Sequence, residues 1–247
     1  MHKIIINNSF DFFEDFILNI QSHFNNNTQT IHKARNELKI INHKNINTIV
    51  KSFKTPNLLR RIVYTYFRDS KAKKSYDNSI KLQNLTPIPI GYIEFYQGGL
   101  INESYFVSEK FDYDFTIREP LLDDNFDDKE EILKVFARFT YELHQNNILH
   151  QDYSPGNILI KKENDGYLFK VVDINRMEFR ELSLDDRLKN FNKLWAKDSE
   201  ITTIAKEYAN ICNEDEEECV NVALKYNTRH KNKMNMKKRL KGIKVVD

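Results

Sequence analysis

Ile148-Leu149-His150-Gln151-Asp152-Tyr153-Ser154-Pro155-Gly156-Asn157-Ile158-Leu159-Ile160 is the stretch on which the reading of this chain turns. It sets His, Asp and Asn in the spacing H-x-D-x4-N, after an amphipathic segment and directly before an apolar one. Sixteen residues beyond Asn157, Asp173-Ile174-Asn175-Arg176 closes the next apolar run. The three spaced residues alone would turn up by chance in roughly a few per cent of chains this long. A strand directly after them, a tight Ser-Pro-Gly turn and an Asp at the end of the next strand remove most chance explanations. What competes is an Asx-rich loop whose carboxylates only cap turns. Phosphoryl transfer from ATP needs this set of groups. One carboxylate orients and deprotonates the acceptor hydroxyl, and an Asn and a second carboxylate hold Mg2+ against the phosphates. On that reading Asp152 is the base, and Asn157 and Asp173 are the metal ligands.

Working outward, Ile132, Phe136, Phe139 and Leu143 recur at helical spacing upstream, with Asp127 and Glu130 as a capping pair. Downstream, 158–161 and 167–172 predict a strand pair turned at Asn164-Asp165-Gly166, followed by helices to the end. The acidic run 214–218 opens one of those helices, where carboxylates oppose the N-terminal dipole. Toward the N-terminus the hydrophobic period shifts to two. Segments 30–33, 37–41 and 46–54 predict strands, joined by turns at Ala34-Arg35-Asn36 and His43-Lys44-Asn45. Segments 58–67 and 70–83 read as helices, and 88–96 with 100–108 as a hairpin about Gly98-Gly99. Ser9 is expected to cap a short helix carrying Phe12, Phe13, Phe16 and Ile17 on one face. The fold class is α+β: a small β-rich lobe, 1–108, and a larger α-helical lobe, 109–247, within one domain.

The β-rich part should supply the phosphate-binding cation. Thr48-Ile49-Val50-Lys51-Ser52-Phe53-Lys54 alternates and carries a lysine in the V-A-I-K manner. Lys51 and Lys54 fall on opposite strand faces, and the motif favours Lys51. Asp77, on the following helix, is the expected carboxylate partner. Glu109 and Phe111, in Ser108-Glu109-Lys110-Phe111 between the lobes, are expected to offer backbone groups to the adenine edge.

Composition sets limits on this reading. The 247 residues carry a net charge of +2, too balanced to argue for nucleic-acid binding. No run approaches the roughly 18 apolar residues of a membrane span. Asp11, Glu14 and Asp15 interrupt the first apolar stretch, so a secretory leader is not expected. Cys212 and Cys219 read as core, in a reducing compartment.

The segments 150–157, 173–176 and 49–58 together resemble the lipopolysaccharide core kinases of the Kdo/WaaP family, in which an H-x-D loop is paired with D-x-x-R. The likeness runs on through 54–61, 70–76 and 86–89 and covers most of residues 30–180. It implies a two-lobed protein-kinase-like fold and ATP- and Mg2+-dependent transfer to a sugar hydroxyl, Kdo or heptose, of the lipopolysaccharide inner core. It also implies lipopolysaccharide or lipid A as partner, and a cytoplasmic setting on the face of the inner membrane. The chain departs from kinase patterns in three places. No glycine precedes Gly91, so Arg35 and neighbouring N–H groups must stand in for a glycine-rich phosphate loop. Asp77 stands where Glu is usual. Gln151 replaces the Arg of H-R-D, which argues for constitutive activity without a phosphate switch. His150 is expected to brace the loop. Arg176 either binds a substrate anion or braces Asp152.

Two basic segments suggest membrane contact. Leu59, Ile62, Val63, Tyr66 and Phe67 share a helical face within 58–74, flanked by arginines and lysines. That face either lies on an anionic surface or packs on the β-rich lobe. The tail 229–244 either binds phospholipid or lipid A phosphates or is solvated and partly disordered. Rival functions are an aminoglycoside- or choline-kinase-type phosphotransferase, favoured by an acidic pocket, and a pseudokinase scaffold. A protein kinase is disfavoured because no A-P-E element follows Asp173.

Overall fold

Val50 and Lys51 point to opposite faces of one strand, and each face of its sheet has a separate cover. The computed structural model describes residues 1–33 and 36–243. The chain divides into two compact units, Met1–Asp112 with Asp173–Asn175, and Tyr113–Val172 with the chain from Arg176 onward.

The first unit runs His2–Ile6 (β1), a 3-10 segment Asn8–Phe13, Glu14–Leu18 (α1), Ile20–Asn26 (α2), Thr30–Lys33 (β2), Asn36–His43 (β3) and Ile46–Phe53 (β4). It continues through Leu58–Tyr66 (α3), Lys71–Leu82 (α4), Pro89–Gln97 (β5) and Leu100–Glu109 (β6). The strands make one antiparallel sheet in the order β1-β5-β6-β4-β3-β2. On one face Val50, Ile93, Tyr105 and Val107 bury against Phe13, Phe16, Ile17, Ile20 and Phe24. Each such side chain contributes about 1.5–3 kcal/mol by leaving water. On the other face Phe53, Tyr92 and Phe106 meet Ala72 and Tyr76 of α4. Lys51 shares that second face, paired in register with Leu38 and Phe106.

The hairpin of β5 and β6 turns at Gly98 and Gly99, whose φ of +60° and +75° suit a tight right-twisted turn. Gly91 has a different reason: a Cβ there would stand 2.6 Å from the Ile5 carbonyl oxygen and 2.7 Å from Ile17 Cδ1.

Strand β1 was not foreseen, because His2–Ile6 shows no alternation of apolar and polar residues. The N-terminal helix also differs from expectation. Asn7 caps it, its side chain accepting from the Ser9 N–H, and the 3-10 geometry of 8–13 turns Phe12 outward. Segment 58–74 is two helices, each with its own cap: Asn57 accepts from the Arg60 N–H and Ser70 from the Lys73 N–H.

Helix α3 is inverted. Its polar side faces the hairpin: Arg61 Nε donates to the Ile101 carbonyl at 2.6 Å, and Arg61 Nη2 to the Gln97 carbonyl at 3.0 Å. Thr65 Oγ1 accepts from the Ile101 N–H at 3.0 Å. The apolar arc (Leu58, Leu59, Ile62, Val63, Tyr66, Phe67) points away, with Leu59 75% and Phe67 77% exposed. Packing of that face on the β-rich part is thereby excluded, since Arg61 and Thr65 occupy the contact.

The second unit runs Phe115–Thr116 (β7), Arg118–Leu122 (α5), Lys129–Gln145 (α6), Ile148–His150 (β8), Ile158–Glu163 (β9), Gly166–Val171 (β10) and Met177–Phe179 (β11). Leu184–Asn190 (α7), Asp198–Cys212 (α8) and Glu216–Arg239 (α9) complete it. Two small antiparallel sheets, β10-β9-β7 and β11-β8, carry the loop segments. Ile132, Phe136, Phe139 and Leu143 are buried as their spacing demanded. The expected Asp127–Glu130 cap is absent. Asp128 instead precedes α6 in a left-handed conformation (φ +57°), and its carboxylate accepts from the Tyr167 hydroxyl at 3.0 Å.

Asp215 caps α9 through the Glu218 N–H, and the helix continues through most of the basic tail to Arg239, in place of the disordered tail entertained from composition. Lys244 lies outside the described residues. Cys219 is buried and Cys212 half-buried. Among the described residues no helix is long and apolar enough to cross a membrane.

Candidate active site

The H-x-D loop is held from three directions within the second unit. The Asp152 N–H donates to His150 Nδ1 at 3.1 Å, while His150 Nε2 lies 3.0 Å from the Val172 carbonyl oxygen. A carbonyl only accepts, so Nε2 carries the ring proton and Nδ1 is the acceptor. The Gln151 N–H donates to the Arg176 carbonyl at 3.0 Å, in the β8–β11 pairing. Tyr153 is fully buried, its hydroxyl 2.8 Å from Thr140 Oγ1 on α6, and burial pushes the phenol's pKa up.

Behind this loop stands a second, buried relay. Asn190 Nδ2 donates to the His150 carbonyl at 3.1 Å, and Asn190 Oδ1 lies 3.2 Å from His144 Nε2. His144 Nδ1 faces the Tyr208 hydroxyl at 2.9 Å. Burial pulls the His144 pKa to about 4, so the ring is neutral and links the two partners as donor and acceptor. His144, Asn190, Thr140 and Tyr208 escaped the sequence reading. Their only signal is a polar residue on an otherwise apolar stripe, as His144 is beside Leu143.

Asn157 and Asp152 are tied to each other. Asn157 Nδ2 donates to the Asp152 carbonyl at 2.8 Å, which fixes the orientation of the amide and of its Oδ1. The Asp152 carboxylate meets Arg176, with Nη1 to Oδ2 at 3.2 Å. Of the two readings of Arg176, the one realised here is the brace on Asp152.

In the first unit, Lys51 Nζ pairs with Asp173 Oδ1. Asp173 has φ +56°, uncommon for a residue with a Cβ but tolerated by Asp, and Oδ1 also accepts from Asn175 Nδ2 at 2.7 Å. Asn78 Nδ2 donates to the Ile174 carbonyl at 2.7 Å, tying α4 to this segment. The expected pair of Lys51 with Asp77 does not form. Asp77 Oδ2 instead takes Lys73 Nζ at 2.6 Å one turn back on the same helix, and this bond, with Asp69 at 3.2 Å, raises the Lys73 pKa. Asn78, the neighbour of Asp77, is the α4 residue that touches the segment.

The N–H groups of the connecting strand are largely committed. Glu109 donates to the Ile88 carbonyl at 2.9 Å and Lys110 to that of Asn47 at 2.8 Å. The Glu109 N–H is thus taken by the sheet, and Phe111 follows half-buried. Arg35 lies outside the described residues.

Among the described residues no three His, Cys, Asp or Glu side chains converge as a metal cluster. Mg2+ does not ask for one. It keeps waters and phosphate oxygens and takes one or two hard oxygens from the protein. The Asp173 carboxylate and the Asn157 amide oxygen are donors of that kind.

A family model described as "Lipopolysaccharide kinase (Kdo/WaaP) family" matches residues 98–213. Over that segment, a little under half of its length, the chain is similar to the Kdo/WaaP kinases. Asp152, Asn157, Asp173, Arg176, Glu109 and Phe111 lie within the Kdo/WaaP segment, whereas Lys51, Asp77 and Arg35 lie before it. A solved structure, "WaaP in complex with acyl carrier protein", is similar over 95% of this chain and 98% of that one, with a TM-score of 0.65 and 12% identity. That likeness shows the fold: kinase-like α+β, with an antiparallel sheet in the N-terminal part and helices in the C-terminal part.

Proposed function

We propose that the protein transfers the γ-phosphoryl group of ATP, with Mg2+, to a sugar hydroxyl of the lipopolysaccharide inner core. The observation that carries this reading is the H-x-D loop: Asp152 is fixed through its N–H by His150, through its carbonyl by Asn157 and through its carboxylate by Arg176. A candidate base is judged first by such fixed geometry. In the transfer, Asp152 accepts the acceptor hydroxyl's proton, the sugar oxygen bonds to the γ-phosphorus, and ADP leaves. Lys51 neutralises phosphate charge once it shares or leaves Asp173. Asp173 and Asn157 would each offer Mg2+ a hard oxygen, and the ion would supply charge neutralisation at the phosphates. The Kdo/WaaP match supports the acceptor class.

The reading is tested with a panel of acceptors under ATP and Mg2+: Kdo-lipid A, an aminoglycoside, choline and a generic protein. Label entering Kdo-lipid A alone is expected. Label entering the aminoglycoside or choline instead would replace the acceptor class.

Such an acceptor sits in a membrane, and the outward arc of α3 suits an anionic bilayer. A convex row of apolar side chains ending in Tyr66 and Phe67, flanked by exposed Arg60 and Arg68, is the pattern of an interfacial helix. Sedimentation with phosphatidylglycerol vesicles is expected, and Leu59→Glu with Phe67→Glu should abolish it. If those changes leave vesicle binding intact but disrupt dimerisation or binding of an acidic carrier protein, the arc serves that partner.

A further inference from the structure

Beside the H-x-D loop the second unit has a cavity of about 740 Å3. Its wall on one side is α7 and the turn after it, contributing Lys189 and Lys193, and on the other α9, contributing Arg229 and Lys233 one helical turn apart. All four side chains are exposed at the rim. Among the described residues, Lys193, Arg229 and Lys233 have no carboxylate within ion-pair distance. The two acidic side chains in the lining, Glu178 and Asp186, are both taken by Arg180, at 3.2 and 2.8 Å. His230, between Arg229 and Lys233, senses the result: burial and the surrounding Lys193, Lys233 and Lys237 hold its pKa below the ordinary value.

The floor of the cavity belongs to the loop machinery. Gln151, adjacent to Asp152, lines it, and so does Asn190, whose Nδ2 bonds to the His150 carbonyl. Its volume falls within the roughly 300–1,000 Å3 usual for small-molecule sites. Against the two carboxylates stand Arg180, Lys189, Lys193, Arg229 and Lys233, and this excess of positive charge on a concave wall attracts anions, because charge focused in a cleft is screened less than on open surface.

We propose that this cavity binds the phosphate or carboxylate groups of an anionic oligosaccharide, holding it next to the H-x-D loop. That the bound sugar is the phosphoryl acceptor rests on the kinase reading; the binding itself does not. Lys189 and Lys193 stand on one wall and Arg229 and Lys233 on the other, an arrangement that suits a ligand with two separated anionic groups, and the guanidinium of Arg229 suits bidentate binding of one of them.

The test is equilibrium titration of the full chain, without nucleotide, with a bis-phosphorylated glucosamine disaccharide, the same disaccharide without phosphates, and inorganic phosphate. The phosphorylated disaccharide should bind tightest, and Lys193→Gln/Arg229→Gln/Lys233→Gln should weaken it about tenfold or more. The charge-matched control Lys3→Gln/Lys225→Gln/Lys241→Gln should bind as wild type, and thermal melting should show both variants folded. Equal binding of the two disaccharides, wild-type affinity in the cavity variant, or equal loss in the control would overturn the site. Inorganic phosphate binding as tightly as the phosphorylated disaccharide would overturn its assignment to a sugar. Phosphate-dependent binding in a protein that phosphorylates no acceptor would sink the kinase reading and leave the site standing.

Discussion

Arg176 Nη1 lies 3.2 Å from Asp152 Oδ2, and the same arginine's backbone carbonyl accepts the Gln151 N–H. One residue therefore holds both the carboxylate and the backbone of the H-x-D loop. Both side chains are partly in water, so the pair adds little to stability. Its value lies in aiming Asp152. Arg176→Ala should lower kcat by about 10–100-fold, with KM for ATP little changed, because a misaimed base loses part of the 10²–10⁴ that general-base catalysis supplies. Steady-state kinetics with the acceptor varied checks this. An unchanged kcat with a raised acceptor KM would assign Arg176 to substrate binding instead.

Lys51 and Asp77 make a second contrast. Lys51 reaches Asp173, whereas Asp77 is bound to Lys73. Asp77→Asn should keep turnover within about twofold of wild type, and Lys51→Ala should lower kcat/KM by about 10²-fold, the order expected for one lost charge at the transferring phosphate. Steady-state kinetics on the two variants checks this. A large loss in Asp77→Asn would restore Asp77 as the partner of Lys51.

The H-x-D loop was legible in the sequence because its residues are tied to local spacing: His150, Asp152 and Asn157 lie within eight positions, and the flanking strands show a clear period. Lys51 was legible from its alternating strand for the same reason. The pairing of Asp77 was not. Asp77, the one acidic residue of α4, has a lysine at i−4, and Lys73 takes it at 2.6 Å. The inversion of α3 was hidden too, since the periodicity of Leu59, Ile62, Val63 and Tyr66 reveals an apolar face but not where that face points. His144 and Asn190 required three-dimensional contact to be seen at all.

His144 gives a pH dependence with a definite sign. Its pKa is about 4 in the fold and about 6.5 in an unfolded chain. The unfolded state takes up the proton first on acidification. The neutral ring's contribution is therefore fully present above pH 6.5 and is lost as pH falls from 6.5 toward 4, about 2 kcal/mol of it by pH 5. Urea unfolding of wild type and His144→Gln at pH 7 and pH 5 should show the wild-type advantage shrinking or reversing at the lower pH. A difference between the two proteins that stays constant with pH would contradict a neutral buried imidazole.

Gly91 tests the packing of β1 and α1 on β5. A methyl group would collide with the Ile5 carbonyl, which is backbone and cannot rotate away. Gly91→Ala should destabilise the protein by about 1–3 kcal/mol, the usual range for overpacking. At this size that lowers Tm by roughly 2–4 °C per kcal/mol. Gly156→Ala is the comparison: its Cβ would meet only the mobile end of Arg118, so Tm should change little. Calorimetry of both variants would decide; equal melting temperatures would mean that β1 yields without cost.

The most direct measurement of the central claim is transfer of the labelled γ-phosphate of ATP to Kdo-lipid A, with Mg2+, by wild type and by Asp152→Ala side by side. The account predicts transfer by wild type and a loss of about 10²–10⁴-fold in the variant, with ATP binding and melting temperature preserved. Transfer by Asp152→Ala at the wild-type rate would contradict it.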